Sequence, residues 1–188
     1  EVAAKNRAEM LRYFYDFRRA AVEDGRRGTV KEYLLPPGRD PNRTRNLARL
    51  LDAQGVEVTE ALEPFTNSKA RPFEGGNAAA KEFPTGTFVI SLAQPASRMV
   101  RTLLDREVPQ DDEFIQEQLR RNEKRLPDQI YDVTAWSLPM MHDIEMFAAE
   151  TPSRLGAARL FTAESGDSDE AATLNKAHLA YLLPWGQR

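Results

Sequence analysis

The chain has 188 residues, 41% of them hydrophobic and 29% charged, and a formal charge of −3 from 26 basic and 29 acidic residues. This composition is ordinary for a globular domain, and the mixed charges provide no basic footprint for nucleic acid or an anionic membrane. The lack of Cys excludes disulfides, iron–sulfur clusters, thiolate zinc sites and a Cys nucleophile. We recognise no signal-peptide pattern in these residues, and no apolar stretch approaches the roughly 20 residues of a membrane span. We therefore expect no nucleic-acid partner and no membrane partner.

The first predicted element is a helix over residues 1–24. Its apolar residues Met10, Phe14, Phe17 and Ala21 recur at helical spacing. The helix also carries an aromatic cluster that comprises Tyr13, Phe14, Tyr15 and Phe17. Because a lone helix does not leave so many aromatic side chains in water, we expect it to dock on a neighbouring domain or on the sheet that follows. A ligand-binding aromatic box is the less favoured interpretation.

The next segment has the order strand, helix, strand. Residues 30–35 read as a short strand, and Asp40 then occupies an N-cap position with Pro41 at the first helical position. Gly55 ends the helix, and residues 56–59 resume at once as a strand. This order is typical of a βαβ unit, which predicts a parallel sheet with a right-handed crossover.

The remaining elements support the same class. In chain order we predict a loop or hairpin over 63–81, a turn and buried strand over 83–92, a helix that opens at 94–95, a short surface helix within 105–128, an extended core segment over 130–139 and a connector from 151. A second strand followed by a helix favours an α/β fold with a mainly parallel sheet flanked by helices.

A short internal repeat suggests how the chain is organised. The hexapeptide YLLPPG at 33–38 recurs as YLLPWG at 181–186, with one difference. We therefore expect four parts, and both ends of the sequence read as cut. The parts are a helix at 1–28 that connects to an upstream domain, an α/β accessory domain at 29–150, a connector at 151–178 and the start of a second α/β unit at 179–188.

One pattern has the spacing of metal ligands. His142 and Glu145 form an H-x-x-E pair, which on one helical face can hold zinc with a third ligand, and His178 is the only other His. The pattern has low specificity, and residues 140–147 also read as a packed amphipathic stretch, which we favour. We assign no catalytic, cofactor-binding or metal residue, and we keep His142 and Glu145 only as the candidate zinc ligands.

Three other groups of residues are of types that can bind an anion, bind calcium or act as a nucleophile, and each has a simpler interpretation. The arginines at the start of the first βα helix, where an anion could bind, are Arg39, Arg43 and Arg45. We favour surface pairing for them. The acidic group Asp167, Asp169 and Glu170 lacks the spacing of a calcium loop and reads as a solvated connector. The serines at 91, 97, 137 and 165 lie outside any G-x-S-x-G elbow, so a nucleophilic triad is not indicated.

Several stretches resemble the C-terminal extension of large bacterial carboxypeptidase A-like zinc peptidases. They are RYFYDFRRA at 12–20, EDGRRG at 23–28, VKEYLLPP at 30–37, LLDAQGVEV at 50–58, FPTGTFVI at 83–90, AQP at 93–95 and YDVTAWSLP at 131–139. The resemblance implies a class I glutamine amidotransferase-like α/β domain, although the Cys nucleophile of that fold has no counterpart here.

The resemblance also implies where the chemistry of the parent protein lies. The family binds one zinc through an H-x-x-E pair and a distant His, with a Glu as general base and an Arg for the carboxylate of its peptide substrate. These residues would precede residue 1, so none of them is carried over to this chain. Zinc is then expected in the upstream catalytic domain of the parent. An extracytoplasmic location is also expected from the family.

Two functional hypotheses follow. In the first, the chain is a non-catalytic accessory segment that packs on, stabilises or modulates the catalytic domain of a zinc metallocarboxypeptidase-like parent. In the second, it is an independent flavodoxin-like module that binds a small ligand or anion at the carboxyl ends of its strands. The loops at 36–40 and 91–95 would form that second site.

Overall fold

A computed structural model of the chain describes residues 2–106, 111–127, 129 and 137–163, with side chains from residue 4. The helices are α1 (Val2–Lys5), α2 (Arg7–Arg27), α3 (Pro41–Ala53), α4 (Ser97–Leu104), α5 (Asp112–Glu123) and α6 (Leu138–Met141). The strands are β1 (Glu32–Leu35), β2 (Thr59–Ala61), β3 (Phe65–Pro72), β4 (Ala79–Phe83), β5 (Phe88–Ser91), β6 (Phe147–Ala149) and β7 (Ala158–Leu160). Among these elements, no helix combines the length and hydropathy needed to cross a membrane.

The strands form one sheet in the order β4-β3-β6-β1-β5-β2-β7, curled into a half-barrel. Every pair of neighbours is antiparallel. The predicted mainly parallel sheet, of flavodoxin-like or class I glutamine amidotransferase-like type, is therefore wrong. β1 and β2 do run in the same direction, because each pairs antiparallel with β5. The predicted order of strand, helix and strand is present, but β5 lies between the two strands, and no local sequence signal specifies that insertion.

Helix α3 begins as the sequence predicts. The Asp40 side chain accepts a hydrogen bond from the Asn42 backbone N–H at 3.1 Å, and Pro41 takes the first turn. Gly55, which follows the helix, has a φ of 77°, a conformation in which a side chain would be strained. The strand then starts at Thr59 instead of residue 56, although Val56 and Val58 are both buried as expected.

Both faces of the sheet are buried at its centre. One face packs against α3 and α4 and includes Tyr33, Leu35, Leu47, Leu51, Ile90, Val100 and Leu104. The other face has a smaller core of Leu34, Ala61, Phe65, Ala70, Phe83, Val89, Phe147 and Ala149. Because β1 contributes to both cores, all four of its residues are buried. This explains why its sequence shows a continuous apolar run, the same pattern that favours a parallel strand.

The other predicted elements differ in how well they agree. The segment 63–81, predicted as a loop or hairpin, forms the hairpin of β3 with β4, which continues to Phe83. The helix after residue 95 and the surface helix within 105–128 are present as α4 and α5. Strands β6 and β7 were not predicted. β7 pairs with β2 in the main sheet and lies inside the segment 151–178 that we expected to be a connector. Residues 130–136 and 179–188, which include the second copy of the hexapeptide, lie outside the described residues.

Candidate functional site

The candidate zinc pair does not lie on one helical face. His142 is the C-cap of the short helix α6, and its backbone N–H donates to the carbonyl of Leu138 at 2.9 Å. Asp143 then takes a positive φ of 50°, so Glu145 follows a sharp turn. Within residues 2–163, where the structure describes them, no group of three or more Asp, Glu and His side chains could hold a metal ion. His178 lies outside the described residues.

The arginines near the start of α3 are mostly paired with carboxylates. Arg43 forms ion pairs with Asp143 at 2.6 Å and with Asp40 at 3.4 Å, and Arg45 lies 3.8 Å from Glu60. The pairs of Arg43 agree with the surface pairing that we favoured, whereas Glu60, the partner of Arg45, is buried. Arg39 is exposed.

The loops expected to form a ligand site lie at opposite ends of the sheet. In the β1–β5 register, Glu32 faces Ser91 and Leu35 faces Phe88. The loop at 36–40 follows Leu35, whereas the loop at 91–95 begins beside Glu32. Since antiparallel neighbours end at opposite edges, these two loops do not share a site.

A cleft does form beside the C-terminal end of α4, with a volume of about 370 Å³. We call it the arginine cleft. Its charged and polar lining consists of Tyr33, Arg71, Arg101, Asp105 and Arg106, and its apolar lining includes Val30, Leu104 and Met146. The volume lies near the lower end of the range for small-molecule sites, roughly 300–1,000 Å³.

The register of three strands explains the shape of the arginine cleft. Arg71 on β3 faces Ala148 on β6, and Ala148 in turn faces Tyr33 on β1. Residues directly opposite one another across strands have their side chains on the same face of a sheet. Arg71 and Tyr33 therefore stand on either side of Ala148, whose small side chain leaves the space between them open.

The Tyr33 hydroxyl donates a short hydrogen bond to the carboxylate of Asp105, which caps α4. Burial is the main cause that raises the pKa of Tyr33 far above its ordinary value, and the hydrogen bond and negative charge of Asp105 raise it further. The positive charges of Arg101 and Arg71 act in the opposite direction. Tyr33 therefore stays protonated and holds Asp105 in place.

The three arginines of the cleft differ in their partners. Arg101 lies 3.8 Å from Asp105, and Arg106 donates a short hydrogen bond to the carbonyl of Glu74. Arg71 is half-buried and forms no hydrogen bond or ion pair with another described residue. Among the described residues, the cleft thus contains three positive charges against the single negative charge of Asp105.

Glycines form the rim of the arginine cleft. Gly75 and Gly76, in the turn from β3 to β4, have φ values of 111° and 115°. Side chains rarely adopt this conformation, so glycine suits both positions. Arg106, through its bond to Glu74, ties the turn to the end of α4.

A buried carboxyl group, Glu32, lies in a separate polar network. Its side chain accepts a hydrogen bond from the Ser153 backbone N–H at 2.7 Å and lies 3.5 Å from the Asn67 amide nitrogen. Burial is the largest cause acting on this group and raises the pKa of Glu32, against the lowering effect of Ser153. Because Asn67 also donates to the carbonyl of Thr151 at 2.8 Å, the network ties the segment after β6 to the sheet. We interpret it as structural.

The second notable surface is on α2. Met10, Tyr13, Phe14 and Phe17 recur three or four residues apart, so they share one face of the helix. We call this set the aromatic stripe. Its members are exposed by 55%, 73%, 56% and 39%, whereas Ala21, further along the same face, is completely buried. The apolar face of α2 is therefore covered at its C-terminal end and open to solvent at its N-terminal end.

The covered end of α2 is held by close contacts with the loop after β5 and with α4. A Cβ atom placed on Gly25 would lie 1.6 Å from the carbonyl oxygen of Leu92, so only glycine allows this approach. Arg98 of α4 stacks over the ring of Phe17 at 4.3 Å and pairs with Asp24 at 3.1 Å. Arg18 donates to the carbonyl of Pro95 at 3.1 Å.

No protein-family model matches the chain, and neither a curated protein nor a solved structure matches it. Of the two surfaces, the sequence indicated the aromatic stripe, through its spacing and its excess of aromatic side chains. It did not indicate the arginine cleft. The two adjacent glycines at 75 and 76 were the only local signal there, and they do not reveal which strand lies beside them.

Proposed function

We propose that this chain is a non-catalytic accessory domain that packs, through the aromatic stripe, on the catalytic domain of a zinc metallocarboxypeptidase-like parent protein. The observation that carries the proposal is the apolar face of α2, which continues from its buried end into the aromatic stripe. Exposed apolar surfaces of this kind mark interaction sites in soluble proteins.

The composition of the open end of α2 favours a protein partner. Aromatic residues, Met and Arg are enriched at the buried centres of protein–protein interfaces, whereas Lys, Glu and Asp are depleted there. The guanidinium groups of Arg18 and Arg19 lie over the rings of Phe14 and Tyr15, at 5.3 and 5.6 Å. These stacked pairs combine flat apolar area with hydrogen-bond donors at the edge, which suits a contact that becomes partly desolvated.

The identity of the partner rests on the resemblance at residues 12–20, which span most of the aromatic stripe. In the proposed arrangement, zinc binding and peptide hydrolysis belong to the parent's catalytic domain. The present domain stabilises that domain or shapes the access of its peptide substrate.

The first test reads the coding sequence upstream of residue 1. The proposal requires an H-x-x-E pair followed by a distant His in that sequence, and its absence would remove the peptidase assignment. The encoded domain can then be produced separately and mixed with this chain, and their affinity measured by calorimetry. We expect saturable binding, with peptidase activity and one tightly bound zinc in the upstream domain alone.

Substitution of the aromatic stripe sharpens this test. Tyr13→Ser combined with Phe14→Ser should weaken the binding by at least about tenfold, because central aromatic residues contribute roughly 2 kcal/mol or more at interfaces. Leu119→Ser is the matched control. Leu119 lies on α5 and its exposed fraction, 53%, is similar to the 56% of Phe14. Equal loss in the control would contradict the assignment of the stripe. If the chain forms a homodimer that dissociates on the double substitution, the partner of the stripe is a second copy of this chain and not the catalytic domain.

A further inference from the structure

We propose that the arginine cleft is a binding site for a small organic anion, in which a carboxylate or phosphate group is attached to a compact apolar body. The cleft lies at the end of α4, between β1, β6 and the turn after β3. It is formed by elements other than the open half of α2, so it is independent of the proposed docking through the aromatic stripe.

The charge balance of the cleft selects an anion. Arg71, Arg101 and Arg106 line it, and among the described residues Asp105 is the only acidic one in its lining. Asp105 is already engaged, since it accepts the hydrogen bond from Tyr33 and pairs with Arg101. Arg71 has no such partner among the described residues. A guanidinium group presents a planar fork of donors that matches the oxygens of a carboxylate or phosphate.

The arginine cleft also has a floor and a wall for an apolar body. Ala148 lies between Arg71 and Tyr33 in the row across β3, β6 and β1. A larger side chain at position 148 would fill the gap that separates them. The wall is formed by Val30, Leu104 and Met146. A ligand with its oxygens at Arg71 and Arg101 would place its apolar part over Ala148 and against this wall.

Two contacts hold the cationic groups in place before a ligand arrives. Tyr33 and Asp105 form a hydrogen-bonded pair beside Arg101, and Arg106 is bonded to the carbonyl of Glu74 on the rim. Groups that are already ordered lose less conformational entropy on binding. Tyr33 and Asp105 are therefore positioning residues, and Arg71 is the principal ligand-binding residue.

The proposal can be tested with three probes on the intact chain. Benzoate has a carboxylate on an apolar ring, benzamide has the same shape without the charge, and inorganic phosphate has the charge without an apolar body. Each is titrated at millimolar concentrations while the side-chain N–H resonances of the arginines are followed by NMR. We expect saturable shifts of Arg71 and Arg101 with benzoate, weaker shifts with phosphate and none with benzamide. Stronger binding of phosphate than of benzoate would identify a phosphate-bearing ligand.

Three variants separate the cleft from non-specific charge effects. Arg71→Gln should weaken the binding by about tenfold or more, as expected for the loss of a hydrogen bond between charged groups. Ala148→Leu should abolish binding by filling the floor. Arg39→Gln is the control, because Arg39 is exposed and is not among the residues that line the cleft.

The outcomes decide the proposal even if one variant is unstable. Arg71→Gln changes a half-buried side chain without a bonded partner among the described residues, so it tests the site if Ala148→Leu does not fold. The proposal is wrong if neither benzoate nor phosphate shifts these resonances saturably. It is also wrong if Arg39→Gln weakens binding as much as Arg71→Gln does.

Discussion

The two ends of α2 belong to one helix with one apolar face, yet their surroundings differ completely. At the C-terminal end, Ala21 and Gly25 are buried, and Gly25 lies directly against the backbone of Leu92 in the loop after β5. At the N-terminal end, the aromatic stripe is exposed to solvent. The periodicity of apolar residues thus indicates a face that needs a partner, but it does not tell whether this chain supplies that partner.

The largest loss of stability is expected from a substitution at the covered end of α2. Gly25→Ala should lower the free energy of unfolding by about 3 kcal/mol, because the added Cβ atom overlaps a backbone carbonyl that cannot move without shifting β5 or α2. The better helix propensity of Ala, worth about 1 kcal/mol, offsets only part of this cost. Chemical denaturation measures the change. Arg27→Ala, at an exposed neighbouring position, should stay within about 0.5 kcal/mol.

An intermediate effect is expected where the two ends meet. Phe17 is partly covered, and its ring stacks under the guanidinium group of Arg98 at 4.3 Å. Phe17→Ala should cost about 1 kcal/mol through loss of this stacking and of the covered part of the ring. Thermal unfolding is measured for Phe17→Ala, for Arg98→Ala and for the double variant. Together with the unchanged chain, these measurements give the coupling energy between Phe17 and Arg98. A coupling energy of zero would contradict the contact.

The smallest effect is expected at the open end. Phe14→Ala should change the stability of the isolated chain by less than about 0.5 kcal/mol, because the side chain is more exposed than covered. The same substitution should weaken binding to the partner domain. Denaturation of the isolated chain measures the change in its stability, and calorimetry with the partner domain measures the change in affinity. A loss of stability in the isolated chain that matches that of Phe17→Ala would mean that this end is also covered within the chain.

Local signals predicted the local elements well. The cap at Asp40, the helix that follows it and the stop at Gly55 require contacts only within a few residues, and the structure confirms all three. Strands β6 and β7 were missed because each has only three residues, Phe147–Ala149 and Ala158–Leu160, without an alternating pattern of their own. Their conformation depends on pairing with strands that are distant in sequence.

The functional surfaces differ in the same way. The aromatic stripe lies within one helix, so its spacing identifies it. The arginine cleft joins Tyr33, Arg71 and Arg101, which are far apart in sequence and meet only because β6 lies between β1 and β3 and because α4 ends above them. No short segment of the sequence specifies this pairing of strands, because its partners are far apart in the chain. The predicted site at 36–40 and 91–95 failed for the same reason, since it assumed the direction of β5.

Sequence patterns alone identify where α3 begins and ends, which residues are apolar enough for the core, and that α2 has an apolar face. Tertiary structure alone decided the direction of β5 and the order of the strands. The physical reason is that a strand with two buried faces has the same apolar run in a parallel and in an antiparallel sheet. Which neighbour it pairs with is set by the packing of the whole half-barrel.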